Sequence, residues 1–189
     1  TLARQRMAES LSAYEAGVDN LAFILESSLM ACELWESVKR QANLTLFCPA
    51  NSAALHSDEA QVTLMLTDGQ KLSARLLVGA DGRDSWVRNA CGLEATHTPY
   101  GERGVVANFA CEREHQHTAY QWFRDDGVLA WLPLPGQRIS MVWSAPDALA
   151  EELLALPPEA LCARVAAAGE HTLGTLQLIT PPAAFDLRL

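Results

Sequence analysis

This sequence of 189 residues is short of paired cysteines, basic residues and long apolar runs, and each shortage removes a class of function. Its five cysteines, Cys32, Cys48, Cys91, Cys111 and Cys162, are odd in number and scattered, with no Cys-x-x-Cys pair. A disulfide framework is therefore not expected, and the thiols read as reduced. Fourteen Lys and Arg stand against twenty-three Asp and Glu, a net charge of −9. That balance argues against nucleic acid as a partner, because a phosphate backbone needs a basic surface, and weakens a polybasic membrane contact. No apolar run is long enough to span a bilayer, and Thr1–Met7 lack the apolar stretch of a secretory signal, so a soluble, cytoplasmic protein is expected. No Gly-x-Ser-x-Gly elbow occurs, so hydrolase chemistry lacks its nucleophile signature. Internal repeats and low-complexity segments are absent too. What remains is 49% hydrophobic, enough for the core of one domain or of two small ones.

The most informative stretch is Leu77-Val78-Gly79-Ala80-Asp81-Gly82-Arg83-Asp84-Ser85-Trp86-Val87-Arg88. It reads as a strand breaking into a glycine-punctuated turn and then a short helix. Two glycines let a ligand approach the backbone, and the first turn of the helix offers unpaired N–H groups. Asp81 narrows the chemistry, since a carboxylate repels a pyrophosphate but accepts hydrogen bonds from hydroxyls or amides. The dipeptide Asp81-Gly82 by itself reads equally well as a tight turn, with Asp84 or Ser85 capping the helix.

Around this turn the patterning alternates. Ala31, Leu34, Trp35, Val38 and Ala42 recur at helical spacing and predict an amphipathic helix over 27–42. Residues 44–50 read as a short strand. Val62, Leu64 and Leu66 alternate at the strand period, and Asp68-Gly69 is a hairpin signal leading into 72–76. Leu76-Leu77-Val78 suits a strand covered on both faces. Beyond Pro99, segments 105–110, 118–123, 128–132 and 139–143, separated by Asp125-Asp126-Gly127 and Pro135-Gly136-Gln137, predict an antiparallel meander. A helix is expected from Asp147, broken at Pro157-Pro158 and restarted there because proline is tolerated in a first turn, and 175–179 reads as a strand.

The run from Leu77 to Arg88 resembles the Asp-Gly motif of single-component flavin-dependent aromatic hydroxylases, an apolar strand, Gly-Ala-Asp-Gly, then Ser-x-Val-Arg. The ubiquinone-biosynthesis branch is the most similar, supported by Ser12-Ala13-Tyr14-Glu15-Ala16-Gly17 with Leu21–Glu26, by Leu44–Ala50, and by Leu129–Pro135. The resemblance implies a mixed α/β (α+β) chain: a partial FAD-binding α/β layer over residues 21–97, with an antiparallel-sheet substrate domain over 98–189 whose sheet starts in residues 1–20. It implies FAD and NAD(P)H as cofactors and hydroxylation of an electron-rich phenol, here a polyprenylated quinone precursor. The glycine-rich ADP turn and the late Gly-Asp motif of that family do not occur, and no Gly-x-Gly triplet exists. An internal piece, inactive by itself, is the expectation.

By the same resemblance Gly79, Asp81 and Gly82 face the flavin's ribityl region, and Arg88 helps engage the nicotinamide dinucleotide; a guanidinium clamps anions bidentately. Arg88 also reads as a surface arginine favoured by a helix C-terminus. Glu26 opens the stretch where the family usually has Glu-Asn-Arg, whereas this chain has Glu26-Ser27-Ser28, so the implied arginine contact to FAD is missing; the serines also read as helix caps. No catalytic side chain is implied. A biosynthetic complex, or the periphery of the inner membrane, is the implied setting. Two other readings stay open: a related flavin enzyme such as a halogenase or prenyl reductase, and a non-catalytic binding or scaffold module. Cys111, Glu112, Glu114, His115 and His117 lack a second ligand pair and read as a solvated hairpin rim rather than a metal site. Trp122, Trp131 and Trp143 read as core aromatics.

Overall fold

The computed structural model describes residues 9–96 and 98–188; the expectations placed on residues 1–8 lie outside it. The chain divides into two compact units. One combines the described residues up to Cys32 with Pro99–Leu187, and the other is Glu33–Thr98. The mixture of helix and antiparallel sheet is as expected.

In the first unit, α1 (Ala13–Ala16) is a single turn, capped by the Ser12 hydroxyl accepting from Glu15 N at 3.1 Å and closed by Gly17. The main body is a six-stranded sheet. Its strands are β4 (Pro99–Cys111), β5 (Tyr120–Arg124), β6 (Gly127–Leu134), β7 (Arg138–Pro146), β8 (Leu176–Leu178) and β9 (Ala183–Arg188). The order is β5-β6-β7-β4-β8, with β9 also pairing β4. The predicted meander is present in β5, β6 and β7, but β4 joins on the far side of β7 rather than next to β5. The tight turns after β5 and β6 make their neighbours adjacent, while the longer link after Cys111 leaves β4 free to pair across the sheet.

Alternation decides which face is core. Val105, Ala107, Phe109 and Cys111 of β4 point the same way as Ile139, Met141 and Trp143 of β7 and Leu129 and Trp131 of β6, and all are buried. Helices α4 (Asp147–Ala155) and α5 (Pro158–Ala168) belong to the same core through Ala150, Leu153, Leu161 and Val165. They start and break where the prolines predicted, with Pro158 at the first helical position of α5. Just past α5, Gly169 sits so close to Trp131 that a Cβ would lie 2.3 Å from the indole. Arg103 on β4 reaches Asp147 and Glu151 of α4 at 3.1 and 3.5 Å and Asp186 of β9 at 3.7 Å. Burial pushes the Cys111 thiol up to about 11, as expected for a sulfur among apolar neighbours. All five cysteines are free.

The second unit holds a three-stranded antiparallel sheet, β1 (Ser52–Ser57), β2 (Val62–Leu66) and β3 (Lys71–Ala74), and the short α3 (Trp86–Ala90). The Asp68-Gly69 hairpin forms as predicted, with Gly69 N donating to Leu66 O and Gln70 N to Asp68 Oδ1 at 3.0 Å. Helix α2 (Ser27–Lys39) runs from the first unit into the second and ends three residues before the predicted Ala42. Two predicted strands are absent. Residues 44–50 form no strand, and Pro49 has no N–H to donate to a ladder; the strand forms instead at β1, whose Ser-Ala-Ala-Leu-His-Ser sequence carries little strand signal. Leu76-Leu77-Val78 is neither a strand nor buried, with Leu76 75% and Val78 73% exposed, because no described segment offers it a backbone ladder.

Candidate functional site

Four of the five residues singled out from the sequence, Gly79, Asp81, Gly82 and Arg88, come together in the turn that enters α3. Gly79 lies against the helix, where a Cβ would meet Val87 Cβ and Cγ1 at 3.0 Å. Gly82 turns the chain with φ +84°, a conformation that costs any residue with a Cβ. Between them, Asp81 is folded back onto the helix start. Its Oδ1 accepts from the Ser85 hydroxyl at 2.5 Å and its Oδ2 from Val87 N at 3.1 Å. Ser85, one of the few buried polar residues, is the N-cap, its Oγ accepting from Arg88 N at 3.0 Å.

These bonds revise the idea of free N–H groups at the first turn of α3. The donors of Val87 and Arg88 are taken by Asp81 and Ser85, so the helix start is closed by the chain's own oxygens. The Ser85 hydroxyl, followed by the Val87 N–H, holds the Asp81 carboxyl below its ordinary value and keeps it ionised. The carboxylate is also exposed, and each of its oxygens retains acceptor capacity beyond the bond it makes. Arg88, half-buried near the end of α3, donates from Nη1 to Arg83 O at 2.8 Å, tying the turn to the helix. The capping role considered for Ser85 is therefore present together with an available carboxylate.

The fifth residue, Glu26, belongs to the other unit. Its Oε1 accepts from Asn108 Nδ2 at 3.2 Å, and Asn108 is fixed in β4 by donating its backbone N–H to Thr180 Oγ1 at 2.9 Å. Asn108 lies 82 positions from Glu26 and nothing in the sequence pointed to it. Ser85, by contrast, was legible as a helix cap, though its bond to Asp81 was not.

Among the described residues, the stretch 111–117 included, no group of three or more His, Cys, Asp or Glu is placed to hold an ion. The expectation of a solvated rim is corrected at His115. His115 is buried, with Nε2 at 2.7 Å from Gly136 O and 3.0 Å from Leu134 O, while Nδ1 accepts from His117 N at 3.1 Å. An Nδ1 that accepts and an Nε2 between two carbonyls place the ring proton on Nε2. Glu112 serves the fold as well, accepting from both Thr175 N and Thr175 Oγ1, which holds its carboxyl below the usual range. Trp131 and Trp143 are fully buried core residues, as expected, and Trp122 packs edge-on against Trp131 at 4.8 Å.

A glycine turn built around an ionised, exposed aspartate and followed by a capped helix presents acceptors to hydroxyl or amide donors and no free N–H at Val87 or Arg88. The chain belongs to the FAD binding domain family, whose model matches residues 33–166. Among curated proteins it is 36% identical over 170 residues to the ubiquinone hydroxylase UbiL of Rhodospirillum rubrum, a match covering 89% of this chain and 39% of that protein. It is 29% identical over 164 residues to the 3-demethoxyubiquinol 3-hydroxylase of Escherichia coli, covering 87% and 41%. Among solved structures, PqsL of Pseudomonas aeruginosa, described as a probable FAD-dependent monooxygenase, superposes with a TM-score of 0.62 at 23% identity, over 80% of this chain and 46% of that one. The chain thus spans about two fifths of the length of the curated relatives it matches.

The turn fits one part of FAD and not another. The Asp81 carboxylate, beside the open space at Gly82, suits hydroxyl donors of a ribityl chain. With the Val87 and Arg88 N–H groups occupied and a carboxylate beside them, the same turn is a poor seat for pyrophosphate.

Proposed function

We propose that this chain is the central segment of an FAD-dependent, NAD(P)H-using hydroxylase that oxidises a phenolic precursor carrying a polyprenyl chain. The observation that carries this reading is the Asp81 turn, in a chain of the FAD binding domain family whose curated relatives are named as ubiquinone-pathway hydroxylases. In this reading Asp81 accepts from flavin ribityl hydroxyls, Gly82 lets the cofactor reach the backbone while Gly79 lets the turn lie close against Val87 of α3, and Arg88 offers its remaining guanidinium donors to an anionic group of the nicotinamide nucleotide.

When bound, FAD supplies the oxygen chemistry, and the protein's part is to orient the reactants and exclude water. The sheet of β4–β9 belongs to the substrate-binding side. A cytoplasmic protein working at the inner-membrane surface is part of the same reading; among the described residues no helix is long and apolar enough to cross a membrane.

The test is a visible absorbance spectrum of the full-length gene product with FAD, then NADPH under air, with and without a prenylated phenol. Bound flavin whose reduction accelerates with the phenol, accompanied by a hydroxylated product, is the expected result. A halogenated or reduced product assigns a different flavin enzyme. Failure of the full-length product to bind flavin assigns a binding module, a reading that Ser28 favours where the family has arginine.

A further inference from the structure

His115 is a buried, ionisable residue that no part of the proposed flavin site uses. It stands in the link from β4 to β5, where the chain passes through two consecutive left-handed residues, Gln116 at φ 50° and His117 at φ 55°. Neither is glycine, so the Cβ of each disfavours this backbone, which persists only where other bonds fix it. His115 supplies those bonds. Its Nδ1 accepts from His117 N at 3.1 Å, and its carbonyl accepts from Thr118 N at 2.9 Å. On the opposite side of the ring Nε2 meets Gly136 O at 2.7 Å and Leu134 O at 3.0 Å, where β6 turns into β7. One imidazole thus pins a strained corner to a hairpin from elsewhere in the sheet.

The arrangement suits one protonation state of the ring. With its proton on Nε2, the neutral imidazole has a single acceptor, and the His117 N–H takes it. A second proton has to go to Nδ1, where it turns that acceptor into a donor facing another N–H, in a place too buried for water to take over. The neighbouring ionisable groups offer the ring no compensation. On its own segment stand Cys111, Glu112, Arg113, Glu114 and His117; Glu112 is bound to Thr175, and the His117 ring meets His115 edge-on at 5.8 Å. Arg138 of β7 donates from Nε to Pro135 O, and Tyr120 of β5 stacks on Trp122. The segment that accepts from Glu112 N and Arg113 N, at Thr175 and Leu173, adds Glu170 and His171. Among the described residues the ring's polar partners are two carbonyls and one N–H, with no carboxylate to pair with an imidazolium.

We propose that His115 is a proton-operated latch: neutral, it holds the Gln116–His117 corner against the β6–β7 turn, and protonation at Nδ1 releases the corner while the sheet stays folded. The inference stands whether or not the flavin reading does, because every residue it uses belongs to the first unit and none contributes to the Asp81 turn.

Hydrogen exchange of the full-length protein, followed by mass spectrometry at about pH 7.5 and about pH 5.5, brackets the ordinary imidazole range. After correction for the intrinsic effect of pH, protection of peptides spanning 112–119 is expected to fall about fivefold or more at the lower pH, with β6 and β7 unchanged. His115→Gln keeps an N–H donor and does not titrate, so its corner is expected to exchange alike at both pH values. His117→Asn removes the adjacent imidazole with a residue that tolerates left-handed backbone, and is expected to keep the wild-type response. Nitrogen-15 spectra of the histidine-labelled wild type need no variant, and are expected to place the His115 proton on Nε2 at the higher pH. Four results overturn the proposal: equal corner protection at both pH values in the wild type; a response that survives in His115→Gln; a response that disappears in His117→Asn; or a His115 proton found on Nδ1 at the higher pH.

Discussion

The two units of this chain bury their apolar residues very differently. In the first, Trp131, Trp143, Phe109, Leu129, Ile139 and Met141 are completely buried between the sheet and α4 and α5. In the second, Leu66 is the single buried apolar residue among those described, while Leu34, Leu76, Val78 and Leu93 are each more than half exposed. Yet the second unit holds the Asp81 turn, the proposed cofactor contact, and it does so with short-range bonds: Ser85 to Asp81, Val87 to Asp81, Arg88 to Ser85, Arg88 to Arg83. One unit is held by a core built from distant parts of the chain, and the other keeps its site by local hydrogen bonding. The site's geometry is therefore less dependent on core packing than the sheet is.

Substitutions test that contrast, beginning with the largest effect. Trp131→Ala removes a fully buried indole, and is expected to destabilise the first unit by about 3–5 kcal/mol in urea titration followed by circular dichroism. A cost below about 1 kcal/mol would show that this core is not what holds the unit together. In the second unit Gly82→Ala is next. Open space surrounds the added Cβ, so the penalty comes from the positive φ alone, about 1–2 kcal/mol, read as a rise of about five- to thirtyfold in the flavin Kd of the full-length protein. Ser85→Ala removes the N-cap of α3 and one bond to Asp81; about 1 kcal/mol is expected, seen as faster amide exchange at Val87 and Arg88 with the first unit unaffected.

Acid acts on the same turn. The Asp81 carboxyl titrates lower in the folded chain than in the unfolded one, so its contribution is complete above the ordinary value of 3.8 and disappears as pH falls through the lower folded value. Val87 amide protection should therefore hold at pH 5 and fall below pH 4, and Asp81→Asn should remove that dependence; an unchanged profile in the variant would place the acid-sensitive group elsewhere. The smallest effect is expected of Leu76→Ala in the 189-residue chain, within about 0.5 kcal/mol, since the side chain is 75% exposed there. A larger loss would mean that the second unit has more of a core than its exposed residues suggest.

The features legible from sequence were those with local causes. The stretch 27–39 is helical because its residues favour a helix, although the apolar stripe at Leu34 and Trp35 stays exposed. Asp68-Gly69 makes its hairpin, Pro158 restarts α5, and Asp81-Gly82 turns into a helix capped by Ser85, each from chemistry within a few residues. In the proposed site this made Gly79, Asp81, Gly82 and Arg88 recognisable as one group, while the partner of Glu26 was not. Apolar runs at 44–50 and 76–78 misled, because a strand depends on a neighbouring backbone as much as on its own residues.

Tertiary structure decided everything that required two distant segments to meet. It set β4 beside β7, recruited the alanine-rich β1 to β2, and joined Glu26 to Asn108. It also turned His115 from a rim residue into a buried donor to Leu134 and Gly136 carbonyls. The division has a physical origin. Turn residues, caps and periodicity act over one or two turns of chain and are written in order along it. Strand pairing and burial are settled by which surfaces remain to be covered once the local elements exist, and that depends on the whole fold.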